Sequence, residues 1–94
     1  MVDAMNVFEA NLDAQGKWFA LVVSRFNSFI TKRLLEGAAL ELIRLGAADD
    51  ALDVYWTPGA FEVPSMAKRL SESGTYAGII CLAAVIKGET PHFD

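Results

Sequence analysis

Apolar positions along this chain alternate between two periods. Trp18–Val23 (WFALVV) is an unbroken apolar run rich in aromatic and β-branched residues, which suits a strand buried on both faces. After the polar break SRFN the spacing changes to three and four. Over Ser28 to Leu45, residues Ile30, Leu34, Leu35, Ala38, Ala39, Leu42 and Leu45 mark one helix face, and Gly46 supplies its stop. Leu52–Trp56 (LDVYW) predicts a second strand. TPGAF then turns the chain into a second helix, Glu62 to Ser71. Pro64 is tolerated there because a first-turn N–H has no helical partner to lose. Gly74 ends that helix, and Gly78–Ala83 predicts a third strand running on toward Ile86. Met5–Leu12 is expected to add an edge strand.

The order strand, helix, strand, helix, strand predicts an α/β fold with three layers, α/β/α, around a parallel, doubly wound sheet of the flavodoxin-like kind. A third strand that runs into GETPH should feed another helix, and an open sheet of three strands leaves long unpaired edges. The pattern therefore predicts one domain over residues 1–94 that is incomplete at its C-terminus, truncated after the third core strand.

Composition adds three constraints. Hydrophobic residues make up 53% of the chain before its glycines are counted, and mean hydropathy is +0.30. A small domain this apolar has surface to hide, most simply in a homo-oligomer or against a further segment. The longest apolar run, Ala77 to Ile86, is ten residues, half of what a spanning helix needs, so no membrane role is expected. A net charge of −4 argues against nucleic acid as a partner, since that needs a basic face. The N-terminus lacks a signal-peptide core, and the single cysteine, Cys81, lies in a hydrophobic run. Together these predict a cytoplasmic protein with Cys81 reduced and buried.

In a parallel sheet the loops after all the strands gather at one edge. Here they are SRFN, TPGAFE and VIKGETPH, which hold most of the unusual residues. With the first strand central, the first and third loops flank the point where strand order reverses, the usual ligand crevice of open α/β sheets. Each loop admits two readings. Phe26 is either a core aromatic closing the sheet or a stacking surface for a flat heterocycle. PGAFE is either a plain turn, with Glu62 well placed at a helix start, or a site where backbone groups of Ala60 and Phe61 hold a ring edge while Glu62 accepts from a sugar hydroxyl.

GETPH is either a turn capped by Thr90 or a phosphate seat built on glycine and free backbone N–H groups. In the second case the Glu89 carboxylate must point away from the anion. His92, the only histidine, is either incidental surface or the one side chain able to exchange protons near neutral pH. No Walker, GxGxxG or GxSxG motif is present, and one histidine with one cysteine cannot build a zinc site. What remains is cofactor-free proton transfer on a bound small molecule.

RFN, PGAFEVP and VIKGETPHFD, in that order with "FITKRLLEGAALELI" between the first two, resemble the lumazine synthases across about Asn6 to Asp94. That family condenses 5-amino-6-(D-ribitylamino)uracil with 3,4-dihydroxy-2-butanone 4-phosphate to give 6,7-dimethyl-8-ribityllumazine in riboflavin biosynthesis. The resemblance implies that Phe26 stacks on the pyrimidine, and that Ala60, Phe61 and Glu62 bind its ribityl side. It further implies that Ala84, Val85 and Ile86 line the ring through backbone contacts, Glu89 and Thr90 form the phosphate turn, and His92 transfers protons. It implies no cofactor and no metal, two small-molecule substrates, and a homo-oligomer built of pentamers, often closed into an icosahedral capsid. The 94 residues alone are expected to be inactive, because the family continues past this point. Two neighbouring readings are the related pentameric riboflavin synthase and a non-catalytic flavin- or lumazine-binding shell protein. A third is a flavodoxin-like domain with no small-molecule role.

Overall fold

The computed structural model describes residues 13–85. The expected Met5–Leu12 strand and the positions Ile86, Glu89, Thr90 and His92 lie outside them. Three parallel strands, β1 (Phe19–Ser24), β2 (Leu52–Thr57) and β3 (Gly78–Leu82), form a sheet in the order β2-β1-β3. In register, Phe19 lies between Leu52 and Gly78, and Val23 between Trp56 and Leu82. β1 is central, as its continuous apolar run predicts, and Ala20, Leu21, Val22 and Val23 are fully buried. Burying each of the larger ones stabilises the fold by about 1.5–3 kcal/mol.

Helix α1 (Ser28–Arg44) leads from β1 to β2, and helix α2 (Val63–Glu72) returns from β2 to β3. The two crossovers run in opposite directions across the sheet, so right-handed connections place the helices on opposite faces. Strand alternation sorts the core accordingly. Leu21 and Val23 join Leu42 and Ala47 in one cluster, with Leu35, Ala38, Leu45, Trp56, Ile80 and Leu82 packed around it. On the other face α2 packs against β1 and β3, with Val63 buried and Met66, Ala67 and Leu70 half-buried at the spacing of one helix face.

Gly46 and Gly74, with φ of 110° and 71°, end the two helices in conformations that glycine adopts without strain. At Gly46 an added Cβ would also lie 3.3 Å from the Gln15 backbone nitrogen.

The face of α1 differs from the expected one. Its inward residues are Thr31, Leu35, Ala38, Leu42 and Leu45, with Thr31 fully buried and Leu42 nearly so. Ile30 and Leu34 are exposed instead, beside Phe29, Leu40 and Ile43. α1 therefore carries two apolar stripes, and the described sheet covers one. Cys81 is a correction too: it is exposed, because β3 is an outer strand that pairs, among the described residues, with β1 alone. A hydrophobic run does not ensure burial on an edge.

A polar tie crosses the sheet on the α2 side. The Tyr76 hydroxyl donates to the Asp53 carboxylate at 2.6 Å and lies 2.5 Å from the Tyr55 hydroxyl, with the two rings edge-to-face at 6.3 Å. Asp53 and Tyr55 belong to β2 and Tyr76 leads into β3, so the tie spans the central strand. The bond to Asp53, with that from Tyr55 behind it, raises the Tyr76 pKa well above the ordinary phenol range. No helix among the described residues is long and apolar enough to cross a membrane.

Candidate functional site at the strand exits

The loops that leave β1 and β2 are bonded to each other. Ser24, buried as the last residue of β1, accepts the Phe26 N–H on its Oγ at 3.2 Å. The Arg25 N–H donates to the Thr57 carbonyl, the last of β2, at 2.8 Å. The Arg25 guanidinium lies 4.9 Å over the Trp56 ring, a cation–π contact that holds this side chain on the protein. Phe26 is thereby turned out of the core and is 52% exposed. Its sheet-closing alternative is not what the structure shows.

Asn27 makes this turn possible. It is the one non-glycine residue with positive φ among those described, at φ 57° and ψ 51°. Its carbonyl accepts from the N–H groups of Ile30 at 2.9 Å and Thr31 at 3.1 Å, which starts α1. Among the described residues no side-chain cap supports the helix start, and the buried Asn27 Nδ2 has no hydrogen-bond partner. The sequence reading passed over this residue. Its signal was an asparagine between a strand and a helix, where a left-handed residue is most tolerated.

After β2, the buried Thr57 donates its hydroxyl to the Gly59 carbonyl at 3.0 Å, and the Glu62 N–H reaches the same carbonyl at 3.4 Å. These bonds wind Ala60–Glu62 into a single 3₁₀ turn that enters α2. Phe61 is 94% exposed and Glu62 is exposed beside it. The Glu62 Oε2 lies 3.3 Å from where a Cβ on Gly59 would stand, so glycine lets the carboxylate fold over the turn. After β3, Ala84 is half-buried and Val85 is 64% exposed.

Strand direction and register put Phe26, Ala60, Phe61, Glu62, Ala84 and Val85 along one edge of the sheet. The edge offers two open aromatic rings, one carboxylate and a run of backbone groups, which suits a flat polar ring with a hydroxylated tail. Ile86, Glu89, Thr90 and His92 lie outside the described residues. A pocket of about 250 Å³, lined by Ala14, Lys17, Phe19, Leu42 and Leu45 among others, opens at the opposite edge, where the strands begin. None of the three exit loops contributes to it, and its lining is mostly apolar.

Residues 16–94 match the family model described as 6,7-dimethyl-8-ribityllumazine synthase. Relatives given that name include one from Desulfosudis oleivorans, 56% identical over 88 residues covering 94% of this chain and 56% of the relative. One from Desulfotalea psychrophila is 55% identical over 89 residues, 95% of this chain and 57% of the relative. One from Clostridium kluyveri is 51% identical over 90 residues, 96% and 58%. The chain thus spans just over half the length of the curated relatives it matches. With the matched stretch running through all three strand exits, the chain belongs to the 6,7-dimethyl-8-ribityllumazine synthase family.

Proposed function

We propose that this chain carries much of the active site of a cofactor-free transferase in riboflavin biosynthesis. It condenses 5-amino-6-(D-ribitylamino)uracil with 3,4-dihydroxy-2-butanone 4-phosphate to 6,7-dimethyl-8-ribityllumazine, releasing phosphate and water. The observation that carries this reading is the shared edge: the two most open exit-loop aromatics and Glu62 stand on the loops whose residues match the family.

Phe26 stacks on the pyrimidine from the switch point. Backbone groups of Ala60, Phe61, Ala84, Val85 and Ile86 fix the ring edges, and Glu62 accepts from ribityl hydroxyls. Glu89 and Thr90 belong to the turn that seats the phosphate. The substrate's amine attacks the ketone, so the protein's tasks are orientation and proton movement. Orienting two reactants is worth up to about 7–11 kcal/mol in ideal cases. His92 moves protons during imine formation and phosphate loss, a role open to a group with pKa near about 6.5. The protein works in the cytoplasm as a homo-oligomer of pentameric type.

The test is a condensation assay with both substrates on the protein at its full natural length. His92→Ala is expected to lower turnover by about 10²-fold, the lower end of general acid–base gains, with pyrimidine affinity little changed. Unchanged turnover would remove His92 from the chemistry, and no turnover in the parent protein would leave a binding protein rather than an enzyme.

A further inference from the structure

Phe26 and the Ala60–Glu62 turn stand on exits of different strands, so their spacing depends on what joins those exits. Among the described residues, the polar contacts that join the β1 exit to the end of β2 both belong to Arg25. Its N–H donates to the Thr57 carbonyl at 2.8 Å, and its guanidinium lies 4.9 Å over the Trp56 ring. The backbone bond extends the ladder one step past its last pair, Ser24 with Thr57. Any residue except proline could make that bond. The side-chain contact is what arginine adds.

The stack is prepared from beneath. Val23 pairs with Trp56 in register, and Trp56 packs on the buried cluster that contains Leu21 and Val23. Strand alternation returns Arg25, two positions after Val23, to that face. Trp56 is thus a platform fixed by the core, and the planar guanidinium lies across it. Arg25 is exposed and forms no ion pair among the described residues, so its part in stabilising the core is small. On the helix side the hold is looser, because the Asn27 carbonyl starts α1 without a side-chain cap. The position of the β1 exit is therefore set more by β2 than by α1, and Phe26 is the residue carried by it.

We propose that Arg25 is a positioning residue: stacked on Trp56, it clamps the β1 exit to β2 and presets the spacing between the Phe26 ring and the Ala60–Glu62 turn. This role rests on the reading of the site given above, in which Phe26 stacks on the pyrimidine. Arg25 itself touches no ligand. It removes loop motion that binding would otherwise have to freeze.

The experiment uses the protein at its full natural length and four variants: Arg25→Met, Trp56→Leu, the two combined, and Phe26→Ala. Affinity for 6,7-dimethyl-8-ribityllumazine is read by isothermal titration, and melting temperature is read without ligand. Arg25→Met keeps an unbranched apolar stem and removes the cation. It is expected to bind about two- to fivefold more weakly, the size of an exposed cation–π contact, with little change in melting temperature. Trp56→Leu should also bind more weakly, and the double variant no more weakly than Trp56→Leu alone, since the two residues act through one contact. Such coupling in affinity is a result that a merely structural surface arginine does not give. A charge acting on the ligand from a distance is screened by salt, whereas a stack at contact distance persists, so the Arg25→Met loss should be equal at about 0.05 M and about 0.5 M salt. That comparison decides the matter even if Trp56→Leu does not fold. If Phe26→Ala binds weakly while Arg25→Met binds like the parent, or loses affinity only at low salt, the clamp is overturned and the site stands. Additive losses in the double variant overturn it as well. If Phe26→Ala binds like the parent, the site reading falls and this role with it.

Discussion

Phe61 and Glu62 are adjacent yet differ in what their exposure means. Phe61 is 94% exposed, so its ring contributes almost nothing to the fold, and the resemblance gives its position a backbone role. Glu62 is also exposed, yet its carboxylate is folded back over Gly59, which pre-arranges an acceptor at the strand exit. A hydrogen bond to a charged group is worth about 1.5–3 kcal/mol when its partner is lost, and about 1.4 kcal/mol is a factor of ten in affinity. Glu62→Gln keeps the size and removes the charge. It is expected to weaken binding of the ribityl ligand by about tenfold, measured by titration, with the melting temperature unchanged because the side chain is solvated. A drop in melting temperature with affinity intact would make Glu62 a helix-start residue only.

At the scale of elements, α1 separates what periodicity predicts from what packing selects. Three- and four-residue spacing located the helix within one residue of its observed ends, but the apolar set contained two stripes. Which stripe faced the sheet depended on contacts with Leu21 and Val23, which are distant in sequence. The strands, their order and their exit loops were legible for local reasons: apolar runs, glycine stops and the chirality of crossovers. The tie of Tyr76 to Asp53 and Tyr55 was not legible, since it joins residues 23 and 21 positions apart. Neither the exposure of Cys81 nor the left-handed Asn27 follows from periodicity, because one depends on being at a sheet edge and the other on a single dihedral angle. At the candidate site, loop chemistry on a parallel sheet pointed to Phe26 and PGAFE, while the individual roles came from family resemblance. The two stripes of α1 make a direct comparison. Leu42→Ala removes a buried side chain from the core and should cost about 2–5 kcal/mol in denaturant unfolding. Phe29→Ser alters a ring that is 74% exposed and should stay within about 0.5 kcal/mol. Equal losses would mean that the outer stripe is covered in the protein as purified.

Over the whole molecule, the sheet keeps two tasks apart along its length. The Tyr76 tie meets β2 at Asp53 and Tyr55, whereas the candidate site begins at Thr57. Asp53 and Thr57 are four residues apart, about 13 Å along a strand. The tie raises the Tyr76 pKa in the folded state, and this fixes the sign of its pH dependence. An unfolded chain releases a tyrosine proton near pH about 10, while the folded chain holds it to higher pH. The stabilisation is therefore complete below pH about 10 and is lost as pH rises above it. Tyr76→Phe removes the bond to Asp53, so the variant should melt at a lower temperature near neutral pH and should lose less than the parent as pH climbs past about 10. A parallel decline in both proteins would place the alkaline sensitivity elsewhere. Because substitutions more than about 7–10 Å apart with no shared partner generally add, Tyr76→Phe should leave lumazine affinity untouched. Saturating lumazine at about 100 times its Kd should then stabilise parent and variant alike, by about 2.7 kcal/mol. If Tyr76→Phe instead weakens lumazine binding, the two ends of the sheet are coupled through β2, and the exit loops depend on the tie for their shape.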